Sequence, residues 1–177
     1  MQPIIFIDDE APIREAVQQW LELSGLNVRT CARAEEALAL LDTEFPGVVV
    51  SDVRMPGMDG LALLAKLQAL DAELPVIMVT GHGDVPMAVA AMQQGAYDFI
   101  EKPFTPERLL ASLQRALDKR RLVGENRALR RQVSERGRIE GQLLGVSPAM
   151  VELRRQILEL APTAVNVLIR GETGSGK

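Results

Sequence analysis

The chain has 177 residues, of which 47% are hydrophobic and 25% are charged. This length and composition favour a soluble globular protein with one well-packed domain and a smaller element beside it. No apolar run reaches the roughly 20 residues that cross a bilayer, and acids stand near the start where a signal peptide carries basic residues. We therefore expect a cytoplasmic protein with no membrane partner. The single cysteine, Cys31, excludes a disulfide framework.

The net charge of −4 conceals two regions of opposite sign. Residues 1–106 contain 6 Lys or Arg and 16 Asp or Glu, a balance of −10, whereas residues 107–177 contain 14 and 8, a balance of +6. The acidic region argues against nucleic acid as its direct partner. The basic region could contact phosphates, although such runs more often form the solvated face of a long helix.

Five short apolar runs rich in β-branched residues predict strands, and the segments between them have the 3.6-residue periodicity of helices. Strands are predicted at 4–7, 27–31, 48–51, 76–80 and 97–101, and helices at 12–24, 34–44, 60–71 and 86–94. Alternating strands and helices indicate a parallel sheet with helices on both faces, a doubly wound α/β fold. In such sheets functional residues gather at the carboxyl ends of the strands, near the point where strand order reverses.

Three carboxylates lie at the ends of two predicted strands. Asp8 and Asp9 follow the first strand, and Asp52 follows the third. Like charges this close oppose one another's ionisation, so a cation should lie among them. Oxygen ligands without a paired His or Cys suit a hard ion such as Mg²⁺.

Two further polar side chains reach the same predicted edge. Thr80 ends the fourth strand with a hydroxyl, and Lys102 follows the fifth with an ammonium. Any one of these residues alone is more commonly a turn former, a helix cap or a surface charge. Their joint placement predicts phosphoryl transfer to a carboxylate, in which Mg²⁺ and Lys102 neutralise the phosphoryl oxygens and Asp52 is the nucleophile.

Four stretches of the chain resemble the signature sequences of receiver domains in two-component response regulators. They are IDDE at 7–10, SDVRMPGMDG at 51–60, VTGHG at 79–83 and GAYDFIEKPF at 95–104. The resemblance implies a flavodoxin-like (CheY-like) sheet of five parallel strands in the order 2-1-3-4-5. It also implies phosphorylation by a sensor histidine kinase.

The resemblance assigns a ligand set to the Mg²⁺ ion. Asp8, Asp9 and Asp52 are its side-chain ligands, and the backbone carbonyl of Arg54 is a further one. Asp52 is also the phosphoacceptor. Its phosphorylation is expected to change how receivers pair.

The resemblance also assigns the residues that respond to phosphorylation. Thr80 is the switch hydroxyl, Phe99 the switch aromatic and Lys102 the phosphate partner. Phe99 stands where Tyr is commoner, so rotation of the ring rather than a hydroxyl-dependent step is expected. The family tends to hold a cis peptide at Lys102–Pro103. His82, the single histidine, is expected to be a solvated loop residue rather than a catalyst.

A long helix is predicted next, with Thr105 as its N-cap and Pro106 at its first position, ending near Gly137 and Gly141. Two readings are open, namely a dimeric coiled coil and a single helix folded back on its own receiver. We favour the homodimer, since a polar Asn126 within an apolar stripe is typical of two-stranded coiled coils. The stripe consists of Leu109 or Leu110, Leu113, Leu117, Leu122, Asn126, Leu129 and Val133.

The last region carries a phosphate-loop motif. A helix is predicted from Ser147 as N-cap, and an apolar strand at 165–169 leads into GETGSGK at 171–177. In the G-x-x-x-x-G-K pattern the glycines let backbone N–H groups surround nucleotide phosphates, and the lysine reaches the same phosphates. The candidate nucleotide-binding residues are Gly171, Gly174, Gly176 and Lys177.

This last region resembles the entry to the AAA+ ATPase domain of σ54-dependent transcriptional activators, and the receiver-like region is most similar to regulators of C4-dicarboxylate transport. We expect a receiver at 1–120, a coiled-coil linker at 121–141 and an incomplete AAA+ fragment at 142–177. ATP, σ54 RNA polymerase and DNA are then expected partners of a full-length parent only. The fragment itself is expected to be no enzyme beyond gaining and losing its own phosphoryl group.

Two alternative functions remain open. A working P-loop NTPase rests on residues 171–177 alone. An aspartyl-phosphate hydrolase would share the Asp52 nucleophile and Mg²⁺. Resemblance to such hydrolases requires a second acid two residues after the nucleophile, where this chain has Arg54.

Overall fold

Five parallel strands form one sheet in the computed structural model, which describes residues 2–81, 85–143, 145–163, 166 and 168. The strands are β1 (Pro3–Ile7), β2 (Asn27–Cys31), β3 (Val48–Asp52), β4 (Val76–Thr80) and β5 (Asp98–Glu101). The helices in the described part of the chain are α1 (Ala11–Leu23), α2 (Ala34–Leu38), α3 (Gly60–Leu70), α4 (Val85–Gln93), α5 (Pro106–Gln142) and α6 (Pro148–Leu160). The order β2-β1-β3-β4-β5 confirms the predicted doubly wound fold.

The sheet is covered on both faces because its central strands are apolar. All five residues of β3 and all five of β4 are buried, and both strands are rich in the β-branched residues that pack well on a pleated surface. Helices α1 and α5 pack on one face, and α2, α3 and α4 pack on the other. Each fully buried Leu or Ile stabilises the fold by roughly 1.5–3 kcal/mol, so both faces contribute to one stable domain.

Helix α2 is shorter than predicted. The sequence pattern indicates a helix over 34–44, whereas the structure ends it at Leu38. Beyond that point Leu40 N donates to Ala37 O at 3.0 Å and Leu41 N donates to Leu38 O at 3.3 Å. Hydrogen bonds spaced three residues apart belong to tighter turns than those of an α-helix, so the chain leaves the helix and turns toward β3.

The start of α5 belongs to the core of the receiver-like domain. Leu109 and Leu113 are fully buried against the sheet, and Leu117 packs on the same cluster. The prediction that Leu113 and Leu117 line a dimer seam is therefore corrected: a leucine stripe of helical period faces the protein's own sheet here. Thr105 Oγ1 accepts from Arg108 N at 3.4 Å, as expected for the predicted N-cap.

Further along α5 the predicted stripe faces outward. Leu122 and Leu129 are 56% and 61% exposed, and Asn126 is also exposed. These three residues keep the 4-3 spacing of a coiled-coil seam, and their pairing in a dimer remains a prediction. The side chain of Val133 lies outside the described residues.

A buried ion pair fastens the middle of α5 to the domain. Arg120 and Asp71 lie 2.8 Å apart, with side chains 4% and 3% exposed. The same guanidinium donates to the carbonyl of Phe45. A buried charge requires such partners, because removing either one leaves the other charged in a low-dielectric interior. Helix α5 is thereby tied to the end of α3 and to the loop before β3.

The chain divides into two compact units, Met1–Asn126 and Arg127–Lys177. In the second unit, Ser147 accepts from Met150 N at the start of α6, which confirms the predicted N-cap. The predicted strand at 165–169 lies mostly outside the described residues, and the loop at 171–177 lies wholly outside them. No described helix is both long enough and apolar enough to span a membrane.

Asp98 joins β5 to α5 through several hydrogen bonds. Its carboxylate accepts from Ser112 Oγ at 2.6 Å and from Phe99 N at 2.8 Å. Arg108 and Arg115 each donate to it at 3.3 Å. Burial alone would raise the pKa of Asp98, but these hydrogen bonds and the two guanidinium charges outweigh burial and lower the pKa below its ordinary value of 3.8.

We expect Asp98→Asn to lower the free energy of unfolding at neutral pH by about 1.5–3 kcal/mol, the range for hydrogen bonds to a charged group. Because the pKa of Asp98 is lowered in the folded state, the carboxylate's contribution is fully present above the unfolded pKa and is lost as pH falls through the folded one. Urea unfolding at several pH values should therefore show the wild-type advantage shrinking below about pH 4.

The matched control is Asp118→Asn, which removes an exposed partner of Arg121 on α5. We expect it to change stability by less than about 1 kcal/mol at any pH. The role assigned to Asp98 would be contradicted if both variants lost the same free energy of unfolding. It would also be contradicted if the loss in Asp98→Asn did not depend on pH.

Candidate functional site

The register of β1 and β3 brings Asp8 and Asp52 side by side. Ile7 pairs with Ser51 in the parallel ladder, so the next residue along each strand reaches the same edge of the sheet. The two strands are adjacent although α1, β2 and α2 separate them along the chain. Strand order reverses between them, which is where doubly wound proteins place their sites. Asp8 and Asp52 are 0% and 6% exposed.

Lys102 supplies the positive charge at this edge. It follows β5 directly, and its Nζ donates to Asp52 Oδ2. The same Nζ lies 2.7 Å from Asp8 Oδ2 and 3.6 Å from Glu10 Oε1. Because β4 lies between β5 and β3, the long lysine side chain spans the end of one strand to reach the carboxylates. The predicted meeting of Asp8, Asp52 and Lys102 is present in the structure.

The pKa shifts show what holds this arrangement together. Burial raises the pKa of the Asp8 carboxyl, and hydrogen bonds from Lys102 and from the Glu10 backbone only partly offset that effect. Burial alone would lower the pKa of Lys102, but hydrogen bonds to Asp52 and Asp8 outweigh burial and raise it. Lys102 therefore stays charged, and its charge is what makes two neighbouring carboxylates tolerable in a buried site.

Backbone amides orient both carboxylates. Glu10 N donates to Asp8 Oδ1 at 3.0 Å, and Arg54 N donates to Asp52 Oδ1 at 2.9 Å. In each aspartate, Oδ1 thus accepts from a backbone N–H two residues further along the chain, and Oδ2 faces Lys102. Arg14 Nη1 also donates to the carbonyl of Asp8 at 2.7 Å, a contact for which the sequence carries no recognisable signal.

The donor set fits a divalent cation. Asp8, Glu10 and Asp52 each offer a carboxylate oxygen, and these oxygens lie within 4.8 Å of one another. Asp8 Oδ2 is buried, and the partner that the described residues give it is the Lys102 ammonium at 2.7 Å. A buried oxygen with spare acceptor capacity, among oxygen donors only, suits Mg²⁺.

The third acid of the cluster differs from the predicted one. Asp9 is exposed and does not belong to this group of carboxylates, whereas Glu10 does. Sequence reasoning missed Glu10, although it is the third acid of the run IDDE. The ligand roles of Asp9 and of the Arg54 carbonyl remain predictions.

The other predicted site residues lie at the ends of β4 and β5. Thr80 is buried, and its carbonyl accepts from Lys102 N at 2.7 Å. Phe99 is half-buried and packs against the cluster formed by α2, α3 and α4. The peptide Lys102–Pro103 is cis, as expected. His82 lies outside the described residues.

An apolar groove of about 690 Å³ opens beside Lys102. Its walls come from α1 and from the segment between β5 and α5. The side chains that line it include Ala16, Trp20 and Phe104. A surface that is apolar and next to a charged site can hold a partner while that partner reaches the site.

A match to a known protein family identifies the domain that carries these residues. Residues 4–114 match the family described as the response regulator receiver domain. The chain belongs to this family. Receiver domains bind Mg²⁺ at an acidic pocket, and here the carboxylates of that pocket come from Asp8, Glu10 and Asp52.

Individual proteins extend the similarity beyond the receiver. The chain is 56% identical over 175 residues to the C4-dicarboxylate transport transcriptional regulatory protein DctD of Rhizobium meliloti, which covers 98% of this chain and 38% of that protein. It is 38% identical over 171 residues to the DNA-binding transcriptional regulator NtrC of Salmonella typhimurium, covering 97% of this chain and 35% of that protein. The chain therefore spans less than half the length of these relatives.

A solved receiver structure has the same fold. The response regulator receiver domain protein from Clostridium thermocellum superposes with a TM-score of 0.66 at 30% identity. The superposition covers 70% of this chain and 99% of that one. This agreement confirms the receiver fold.

We expect Asp8→Asn to weaken Mg²⁺ binding by the receiver at least about tenfold, since fewer carboxylates lower the affinity of a hard-cation site. The resemblance to receiver domains makes Asp9, and not Glu10, a ligand of the ion. Asp9→Asn should therefore have a similar effect, whereas Glu10→Gln should change affinity less than about threefold. Calorimetric titration measures all three, and Trp20, which lines the same groove as Lys102, offers a fluorescence signal. A larger effect for Glu10→Gln than for Asp9→Asn would assign the third ligand to Glu10.

Proposed function

We propose that Asp52 accepts a phosphoryl group from the phosphohistidine of a sensor histidine kinase. One observation carries the proposal: a buried carboxylate at the sheet's switch point is hydrogen bonded to Lys102, with Asp8 beside it. A buried structural aspartate would need a cation such as Lys102, but it would not need a second buried acid beside it. The match of residues 4–114 to receiver domains supports the same reading.

The transfer needs one new bond and one broken bond. An oxygen of Asp52 attacks phosphorus, the P–N bond to the kinase imidazole breaks, and the imidazole keeps the electron pair and takes up a proton. Bound Mg²⁺ would neutralise charge on the phosphoryl oxygens, held by Asp8 and Asp52 with Asp9 or Glu10. Arg54 N holds the other Asp52 oxygen, which fixes the carboxylate plane. Lys102 then pairs with the phosphoryl oxygens in place of the free Asp52 carboxylate.

We infer that the receiver responds through β4 and β5. Thr80, at the end of β4, would donate its hydroxyl to a phosphoryl group on Asp52, and Phe99 on the adjacent strand β5 would turn inward as Thr80 moves. Water then hydrolyses the acyl phosphate slowly and returns Asp52. Through such a two-state rearrangement, the charge added at Asp52 would change the surface of the receiver.

The whole protein is proposed to regulate transcription. Two relatives are named transcriptional regulators, one of C4-dicarboxylate transport and one DNA-binding. We propose that the whole protein is a cytoplasmic σ54-dependent activator whose AAA+ domain binds ATP through Gly171, Gly174, Gly176 and Lys177. We further propose homodimers formed through the receiver and the exposed stripe Leu122, Asn126 and Leu129 on α5. Phosphorylation of Asp52 would change this pairing.

The apolar groove is proposed to receive the histidine-bearing domain of the kinase. It shares Lys102 with the phosphoacceptor site, so whatever fills it lies beside Asp52. Trp20 and Phe104 provide aromatic surface of the kind that anchors protein partners. Ala16 is exposed in the groove, which leaves room for an apolar side chain of the kinase.

Incubation with Mg²⁺ and labelled acetyl phosphate should give wild-type protein an acid-stable, base-labile label. Asp52→Asn should lose at least about 90% of it, because an amide cannot form the acyl phosphate. The exposed Asp42→Asn serves as control and should label like wild type. Absence of label from wild type, or full labelling of Asp52→Asn, would overturn the proposed function.

Ala16→Glu should separate kinase docking from chemistry. With the catalytic part of a sensor kinase that phosphorylates the wild-type chain, we expect transfer to slow about tenfold, because a buried unpaired charge opposes docking. Labelling by acetyl phosphate should stay within about twofold of wild type. Gln19→Glu puts the same charge on α1 outside the groove and should leave both rates unchanged. Equal slowing by both substitutions would refute docking in the groove.

A further inference from the structure

Gly60 lies against the backbone of the phosphoacceptor. It is the first residue of α3, it is buried, and its N–H donates to the carbonyl of Val53 at 2.9 Å. A Cβ on this residue would lie 2.2 Å from the Asp52 carbonyl oxygen and 2.8 Å from Val53 Cα. Ordinary van der Waals contacts are 3.4–4 Å, so no side chain fits.

Backbone freedom does not explain this glycine. Its φ lies outside the left-handed region, unlike that of Gly57 in the same loop at +82°. Alanine also has the higher helix propensity at a helical position. What requires glycine is the close approach of one backbone to another. Met78 Cε, 2.8 Å from the same Cβ position, could move aside, but the peptide at the buried end of β3 cannot.

We propose that Gly60 is a positioning residue for phosphorylation. Helix α3 rests at contact distance on the Asp52 peptide and thereby sets where the Asp52 carboxylate stands relative to Lys102. The inference rests on the proposed function of Asp52. A methyl group at residue 60 would force the Asp52 peptide and α3 apart by about 1 Å, because the interior has no free volume to absorb it. A misplacement of about 1 Å can slow a reaction about 100-fold.

The chain contains a matched control at the other end of the same strand. Gly47 directly precedes β3, and a Cβ there would lie 1.8 Å from the Pro3 carbonyl oxygen. Gly47→Ala therefore introduces the same methyl group and a backbone clash at least as severe. It does so at the edge of the sheet opposite to the carboxylates.

The experiment measures labelling by acetyl phosphate at saturating Mg²⁺ and expresses the rate per folded molecule, with the folded fraction taken from circular dichroism. We expect Gly60→Ala to label 10- to 100-fold more slowly than wild type, roughly the cost of a misplaced reacting group. Gly47→Ala should lose stability but label within about twofold of wild type per folded molecule. An osmolyte such as trimethylamine oxide can be added to all samples to favour the folded state.

Asp59→Ala tests the same contact without a new methyl group at residue 60. The Asp59 side chain accepts from Ala62 N and holds the first turn of α3, so its loss loosens Gly60 against Asp52. We expect a slowing of about threefold, smaller than that of a direct clash. This variant decides the matter where Gly60→Ala does not fold.

The outcomes separate the two proposals. If wild type takes no label, the proposed function fails. If wild type labels while Gly60→Ala, or Asp59→Ala where the former is unfolded, labels at the wild-type rate per folded molecule, only the positioning role fails. A similar slowing in Gly47→Ala would reduce the role of Gly60 to general packing and also overturn the inference.

Discussion

Two buried carboxylates at neighbouring strand ends, compensated by one lysine, are the constraint on which the rest of the receiver depends. Asp8 and Asp52 are adjacent because β1 and β3 are adjacent, and Lys102 reaches them only because β5 lies on the β3 side of the sheet. Without the ammonium, two carboxylates this close would not both ionise. The strand order β2-β1-β3-β4-β5 is thus what brings the lysine and the two carboxylates together. In the proposed reaction, the phosphoryl group enters a site where Lys102 already provides a positive charge.

Strand β5 and helix α5 connect the charged edge to the distal part of the domain. Lys102 follows β5, Phe99 lies within it, and Asp98 at its start holds α5 through Ser112. Further along, α5 buries Arg120 against Asp71 at the end of α3. If β5 shifts on phosphorylation, it therefore acts on α5 through the hydrogen bonds and ion pairs of Asp98. Contacts of this kind have discrete arrangements, which is what a switch requires of its moving parts.

The sheet could be predicted because each strand is an apolar run bounded by turn residues, and the site could be predicted because parallel strands deliver their ends to one edge. Glu10 was missed because its role depends on the reach of one side chain toward Lys102, which no periodicity records. Leu113 was assigned to a dimer seam because a leucine stripe looks the same whether it faces a second helix or the protein's own sheet. Arg120 and Asp71 are far apart along the chain, so only the folded structure pairs them.

Strand β3 shows why Asp52, the proposed phosphoacceptor, stands on a strand rather than on a loop. Its five residues are buried, and a glycine lets another backbone approach it at each end. Gly47, just before β3, lies against the Pro3 carbonyl, and Gly60, the first residue of α3, lies against the Asp52 carbonyl. Sites carried on rigid elements hold their geometry more closely than sites on loops. The loop after β3 adds the Arg54 N–H, which fixes the rotation of the carboxylate. Backbone packing at Gly60 and the hydrogen bonds from Arg54 N and Lys102 thus act on different parts of Asp52, its peptide and its carboxylate, so the two can be altered by separate substitutions.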